Sequence, residues 1–292
     1  MAPTRATLDS QRFEHPVFDS LAAFRDLLLA PAWPDIEQLQ ARLDPLRHRI
    51  TGLPLLLVPQ DALDPGGNYE QRIFETGHIA TRRGNWHDLF NALAWTCFPA
   101  IKSALNAGQV ADMAVLGTRE RSRRQAAFTQ FDEAGAIAFI DDPDLLACWD
   151  RHDWHGLFID QFKAWTDGRI RLAVFGHALF EHALNPDMLL VSRTIVVLGD
   201  ADEEAIARAM LLPTGLNDPQ QLRPLPLAGI PGWDCREQDA AFIRDLPCFR
   251  PLRPGRRYPP PLLSNLQCAE GAPASGASGG TAGSATRPPR IG

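Results

Sequence analysis

The sequence predicts an α+β fold, a helix-rich single domain with a few short strands, a proline-rich C-terminal wrap and a disordered tail. Apolar residues recur at helical spacing in several segments, short β-branched runs lie between them, and proline becomes dense near the C-terminus. The chain has 292 residues, of which 45% are hydrophobic and 22% charged, so it can bury a substantial core. We therefore assign residues 1–262 to one domain.

The first part of the core predicts two helices and a hairpin. Residues 20–29 and 35–46 each place apolar side chains on one helical face. Residues 69–81 resemble a β-hairpin that turns near Gly77.

Helices and strands alternate through the rest of the core, which covers residues 18–212. Asp153 is placed to cap an amphipathic helix over 154–165, and residues 202–211 predict another helix. Short apolar runs predict strands over 136–140, 169–175 and 193–198.

The C-terminal part divides into a wrap and a tail. Repeated prolines exclude long helices and central strands from residues 213–262, so we expect an extended wrap around the domain. Residues 263–292 are rich in Gly, Ala and Ser and offer almost no large apolar side chains, which predicts a disordered tail.

Composition also limits the compartment and the partners. The N-terminal residues lack the apolar run of a signal peptide and no run is long enough to span a bilayer, so we expect a cytoplasmic protein of bacterial type that is not in a membrane. The five cysteines are widely spaced, which predicts reduced thiols. A net charge of -6 argues against nucleic-acid binding.

Residues 85–106 form the most informative segment. Asn85 can cap a helix that carries His87, Asp88 and Asn91 beside its apolar stripe. Pro99 suits the first turn of a second helix, and this helix presents Lys102 and Asn106 four positions apart.

His87 and Asp88 are a candidate general acid/base pair, because histidine titrates near neutral pH and a carboxylate can orient it. The alternative interpretation is structural. A histidine at a helix start and an acidic residue in the first turn both suit the helix itself.

A second segment covers residues 175–186. A helix that begins after Gly176 puts His177 and Glu181 on one face. The i, i+4 spacing could bind a metal, but it matches none of the established zinc motifs, so we assign no metal ligands and prefer a His–Glu hydrogen bond.

A third segment, residues 118–140, is rich in arginine. Arg123 and Arg124 are candidate ligands for a carboxylate or phosphate, and a solvated helix face is the alternative. The pair Asp132-Glu133 precedes Gly135 and is typical of a turn that leads into a strand. These two carboxylates could also pair with the arginines.

No glycine-rich nucleotide-binding motif and no serine-hydrolase motif is present, which disfavours both functions and leaves the cofactor unknown. The segments NWHDLFNALAWTCFPAIKSALN, RRQAAFTQFDEAGA, FGHALFEHALNP, LAGIPGW and FRPLRP, in this order, resemble a bacterial family catalogued as domain of unknown function three thousand and twenty-five. The resemblance covers roughly residues 35–257 and implies no mechanism.

The resemblance marks a set of matching positions. They are Asn85, Trp86, His87, Asp88, Asn91, Phe98, Pro99, Lys102, Asn106, Arg124, Asp132, Glu133, Gly176, His177 and Glu181.

Two functions follow as hypotheses. The first is an enzyme acting on a polar or anionic small molecule, with a pocket that His87 and His177 share. Its catalytic residues would be His87, Asp88, His177 and Glu181, and its substrate-binding residues Asn85, Asn91, Lys102, Asn106, Arg123, Arg124 and Asp132. The alternative is a non-catalytic binding or scaffold protein with a buried polar network and an arginine-rich partner face. The sequence specifies no oligomeric state.

Overall fold

Helices surround a small mixed sheet in a computed structural model, which describes residues 4–43, 45–63, 66–117 and 120–265. The strands β1 to β7 are Leu56–Pro59, His78–Thr81, Gly135–Ile140, Ile170–Val174, Val191–Leu198, Arg223–Pro226 and Leu263–Ser264. The helices α1 to α11 are Arg25–Leu29, Ile36–Leu43, Tyr69–Thr76, Trp86–Cys97, Pro99–Leu116, Arg123–Ala134, Pro143–Asp150, Phe162–Thr166, His177–Ala183, Glu203–Leu211 and Ala240–Asp245. The predicted α+β class is confirmed.

The main sheet has the strand order β4-β3-β5-β6, with β7 also pairing with β5. β3 and β5 are parallel and central, whereas β4 and β6 run antiparallel to their neighbours. The three runs predicted as strands are β4, β3 and β5. The proline-bearing β6 lies outside the centre of the sheet, as expected for a strand that cannot donate all of its ladder hydrogen bonds.

Both faces of the central strands are buried. Ile137 of β3 and Ile195 of β5 pack into a cluster with α5, α6 and α10. Ala138 and Val196, the next residues along the two strands, pack into a larger cluster on the opposite face. Successive side chains of each strand therefore pack into different hydrophobic clusters on opposite faces of the sheet. This explains why these strands are almost continuously apolar.

The predicted hairpin over residues 69–81 is wrong. Asn68 accepts hydrogen bonds from the N–H groups of Glu70 and Gln71 and so caps helix α3, which ends at Gly77 in a left-handed conformation with φ of 75°. β2 follows, and it pairs in parallel with β1.

Two predicted helices are less regular than expected. Residues 20–29 divide into a 3-10 helix, Pro16–Phe24, followed by α1. Residues 154–165 contain a π-helical segment, Gly156–Asp160, before the short α8, and Asp153 accepts from the N–H of Gly156 as the predicted cap.

A buried arginine attaches the predicted wrap to the domain. Arg223 is 2% exposed and binds Asp150 at the end of α7 and the carbonyl of Pro259. The wrap extends beyond the predicted boundary at residue 262, because Leu263 and Ser264 pair with β5. From residue 266 onward, the predicted tail lies outside the described residues. In the described part of the chain, none of the helices has the length and apolar character that crossing a membrane requires.

Candidate functional site

The pairing of β3 with β4 brings two helix ends together. Ala136, at the start of β3, lies opposite Val174, at the end of β4. Two residues that follow β4, Phe175 and Gly176, both donate their N–H groups to the carbonyl of Gly135, at 2.9 and 2.8 Å. Because α6 leads into β3 and β4 leads into α9, the end of α6 therefore meets the start of α9.

Gly176 is required at this crossing. A Cβ atom at this position would lie 2.4 Å from the backbone nitrogen of Gly135. The two backbones therefore approach more closely than any residue with a side chain would permit.

Helix α4 supplies the third element of the site. Asn85 accepts from the N–H of Asp88, which confirms the predicted cap. Trp86, Leu89 and Phe90 are buried against the N-terminal segment and α9, and this packing leaves His87, in the first turn, facing α9.

The two predicted histidines are in direct contact. Nε2 of His177 lies 3.1 Å from Nε2 of His87. Nδ1 of His87 lies 3.1 Å from Oε2 of Glu181, one turn further along α9. The side chain of His87 is 30% exposed, whereas that of His177 is only 6% exposed. Solvent therefore reaches the pair from the side of His87.

Two carboxylates at the end of α6 complete the group. Oε2 of Glu133 lies 3.6 Å from Nε2 of His177, and Oδ2 of Asp132 lies 3.8 Å from Nδ1 of His177. One donor atom each from His87, Glu133 and His177 lie within 4.8 Å of one another, so these three residues could hold a metal ion. We call them the His–His–Glu cluster.

Lys102 connects this cluster to the core. Its Nζ donates to Asp132 at 2.6 Å and to Asn91 at 2.8 Å, and its side chain is 4% exposed. Asn91 in turn donates to the hydroxyl of Tyr69. Lys102 thus fixes the carboxylate that faces His177.

The charges around the cluster shift its proton equilibria. Burial lowers the pKa of His177 to about 3 despite the attraction of Asp132. Burial would raise the pKa of Asp132, but the positive charge and the hydrogen bond of Lys102 oppose burial, and the pKa is lowered. Burial raises the pKa of Glu133, although His87 acts in the opposite direction. His177 is therefore neutral and Asp132 ionised at physiological pH.

A second polar group lies on the far side of Lys102. Asn106 donates to the carbonyl and the carboxylate of Glu70, and its own carbonyl oxygen lies 3.1 Å from Nε2 of His48. A small cavity is lined by Glu70 and Asn106 of this group together with Lys102 and Asp132. Asn106 is thus near the predicted site without belonging to the cluster.

Other predicted site residues lie elsewhere. Asp88 binds Arg82 through both carboxylate oxygens, so the carboxylate partner of His87 is Glu181 and the predicted pair with Asp88 is not formed. Glu181 consequently does not pair with His177, with which it shares a helix.

The predicted arginine ligands are engaged in ion pairs. Arg123 binds Asp218 and Arg124 binds Asp112, at the opposite end of α6 from the cluster. The neighbouring Arg119 lies outside the described residues.

Sequence reasoning missed four polar residues of the region. Asp132-Glu133 is the last turn of α6, where a turn was predicted, and Glu133 was not chosen as a site residue. Tyr69 and Glu70 were assigned to the wrong element, and His48 was not considered. The one available signal was the resemblance, which marks Glu133 as a matching position.

The comparison with known proteins identifies one family. The family described as Protein of unknown function (DUF3025) matches residues 55–253, more than half of the chain. This range includes every member of the His–His–Glu cluster. No curated protein and no solved structure matches.

Proposed function

We propose that this chain, which belongs to the DUF3025 family of proteins of unknown function, is an enzyme that hydrolyses a small polar or anionic molecule. The observation that supports this proposal is the convergence of the His87 and His177 Nε2 atoms and the Glu133 carboxylate at one partly exposed point. Hydrophobic packing alone does not explain why these three polar groups meet. Two imidazoles and a carboxylate are groups that can activate water.

The reaction consistent with this site is addition of water to a carbonyl or phosphoryl centre. The water oxygen forms a bond to carbon or phosphorus, and the bond to the leaving group breaks. One proton of the water passes to the cluster or to solvent, and the leaving group takes up a proton. No oxidant or second substrate is needed.

Access and charge favour a small substrate. The side chains of His87 and Glu133 are 30% and 43% exposed, so a reactant can approach from this side. Arg82 keeps about half of its side chain exposed while it binds Asp88, next to His87 in the chain. It offers a cation to a carboxylate or phosphate on the substrate.

A panel of chromogenic esters, anilides and phosphoesters tests the proposal. We expect turnover of at least one class, and a fall in kcat of about 100- to 10,000-fold in His87→Ala and Glu133→Gln. His182→Ala is the matched control, because His182 is exposed on the same helix as His177. Turnover that is absent from the wild type, or equal in all variants, would contradict the proposal.

A second candidate is the non-catalytic scaffold. The observation that favours it is that Lys102, Asn91 and Asn106 are buried and hydrogen-bonded to protein groups. The ion pairs of Arg123 and Arg124 argue against a free arginine face for an acidic partner. For a scaffold, His87→Ala would lower the free energy of unfolding by roughly 1 to 3 kcal/mol and no variant would change a rate.

A further inference from the structure

We infer that His87, His177 and Glu133 bind one divalent transition-metal ion, with zinc as the metal best suited to these donors. Two imidazole nitrogens and one carboxylate oxygen form the donor set of many catalytic zinc sites. The inference deepens the proposed function by naming the group that activates water. Metal binding can nevertheless be measured without any substrate.

The spacing of the donor atoms fits one ion. Metal–ligand bonds of 2.0 to 2.1 Å in a tetrahedral site place the donors about 3.3 Å apart. The two Nε2 atoms are 3.1 Å apart, and Oε2 of Glu133 is 3.6 Å from Nε2 of His177. Both distances are close to this value, and all three donors lie within 4.8 Å of one another.

The hydrogen bonds of the two imidazoles also favour a bound metal ion. A carboxylate only accepts, so Nδ1 of His87 carries the proton that Glu181 binds, and Nε2 of His87 faces His177. The two facing Nε2 atoms can share only one proton, so at least one of them presents a lone pair to the site.

The other ring nitrogen of His177 lacks a hydrogen-bond partner. Its Nδ1 is buried without a hydrogen-bond partner and lies 3.8 Å from Oδ2 of Asp132. A metal ion would satisfy both imidazoles, because both Nε2 lone pairs would bind the ion and both Nδ1 protons would point to carboxylates. Glu181 and Asp132 would then hold the two ligands in position, as outer carboxylates commonly do in zinc sites.

The local charge also favours a divalent cation. Lys102 neutralises Asp132. Within the described residues, neither Glu133 nor Glu181 forms an ion pair with a lysine or arginine, although Lys102 acts on Glu133 and Arg82 on Glu181 from a greater distance. An ion with two positive charges would balance these two carboxylates.

The fourth position of a tetrahedral ion would lie open. Glu133 and His87 are partly exposed, so the protein supplies three ligands and leaves room on the solvent side. Three protein ligands and an open position distinguish catalytic zinc sites from closed structural ones.

Metal uptake by the full-length, chelator-treated protein tests the inference. After dialysis against Zn²⁺, elemental analysis should give one ion per chain, and isothermal titration should give its affinity. Mg²⁺, which prefers oxygen ligands, should not compete at similar concentration. Cobalt substitution should give the visible absorption of a tetrahedral or five-coordinate ion.

Variants assign the ion to the cluster. His87→Ala and Glu133→Gln should abolish stoichiometric binding, whereas Glu181→Gln should weaken binding by about 10- to 100-fold. His182→Ala should bind like the wild type, and circular dichroism checks that each variant is folded. Absence of uptake, or uptake that is unchanged in His87→Ala and Glu133→Gln, would overturn the inference.

The two proposals can fail separately. One ion bound by the cluster without turnover of any substrate would support the metal site and count against the hydrolase. Turnover that depends on His87 but persists in metal-free protein would overturn the metal site and leave the hydrolase standing.

Discussion

Nε2 of His87 and Nε2 of His177 lie 3.1 Å apart although 90 positions separate the two residues in the chain. The contact depends on the backbone crossing beside Gly135, where α9 begins against the end of α6. A small change at that crossing should therefore move His177 relative to both His87 and Glu133.

Gly176→Ala should lower the free energy of unfolding by roughly 1 to 3 kcal/mol, because its Cβ would lie 2.4 Å from the nitrogen of Gly135. Urea denaturation measures the loss. Gly67→Ala is the matched control, since its Cβ would meet the guanidinium at the end of the long Arg72 side chain and no backbone atom. Equal stability of the two variants would show that the crossing relaxes without cost.

Lys102→Met should be more destabilising than a surface lysine substitution, by roughly 3 kcal/mol, because it leaves Asp132 without its cation. The double variant Lys102→Met with Asp132→Asn should recover part of the loss. Chemical denaturation of both variants checks the coupling. A double variant less stable than Lys102→Met alone would mean that Asp132 is stabilised by other groups.

Local sequence signals were sufficient for three strands of the main sheet but not for α3. The strands β3, β4 and β5 are rich in apolar and β-branched residues, so local composition alone predicts them as strands. A glycine such as Gly77 can mark either a hairpin turn or the end of a helix. Here it ends helix α3, so the hairpin prediction was wrong. The parallel pairing of β1 with β2 depends on contacts between distant segments, which periodicity cannot reveal.

The site was predictable only in part for the same reason. His87 and His177 stand near helix starts that capping and glycine signals identify. The partners of these histidines depend on the register of β3 with β4, so the roles of Glu133 and Glu181 followed only from the structure. Asp88, the neighbour in sequence, binds Arg82 instead.

Cysteine reactivity should follow burial. The four described cysteines are free thiols, and all five were predicted to be reduced. Burial raises the pKa of Cys97 to about 12 and that of Cys148 to about 11, whereas Cys235 is exposed. Among the described cysteines, alkylation of the native protein followed by peptide mapping should therefore modify Cys235 first. Faster modification of Cys97 would indicate local opening of α4.

The ion pair between Asp112 of α5 and Arg124 of α6 should make stability depend on pH in the acid range. Burial would raise the pKa of Asp112, but the hydrogen bonds from Arg124 and Ser122 outweigh it, so the pKa lies below its usual 3.8. The native state therefore keeps this carboxylate charged at pH values where the unfolded chain has taken up a proton.

The contribution of Asp112 is accordingly complete above the unfolded pKa and is lost as the pH falls through the native pKa. Asp112→Asn should be less stable than the wild type at neutral pH, and the difference should shrink below about pH 4. Urea denaturation of both proteins, from pH 7 down to below pH 4, measures this difference. Asp26→Asn is the control, because Asp26 is 70% exposed in its pair with Arg42 and should contribute little. A difference for Asp112→Asn that stays constant throughout the acid range would show that its hydrogen-bond geometry matters more than its charge.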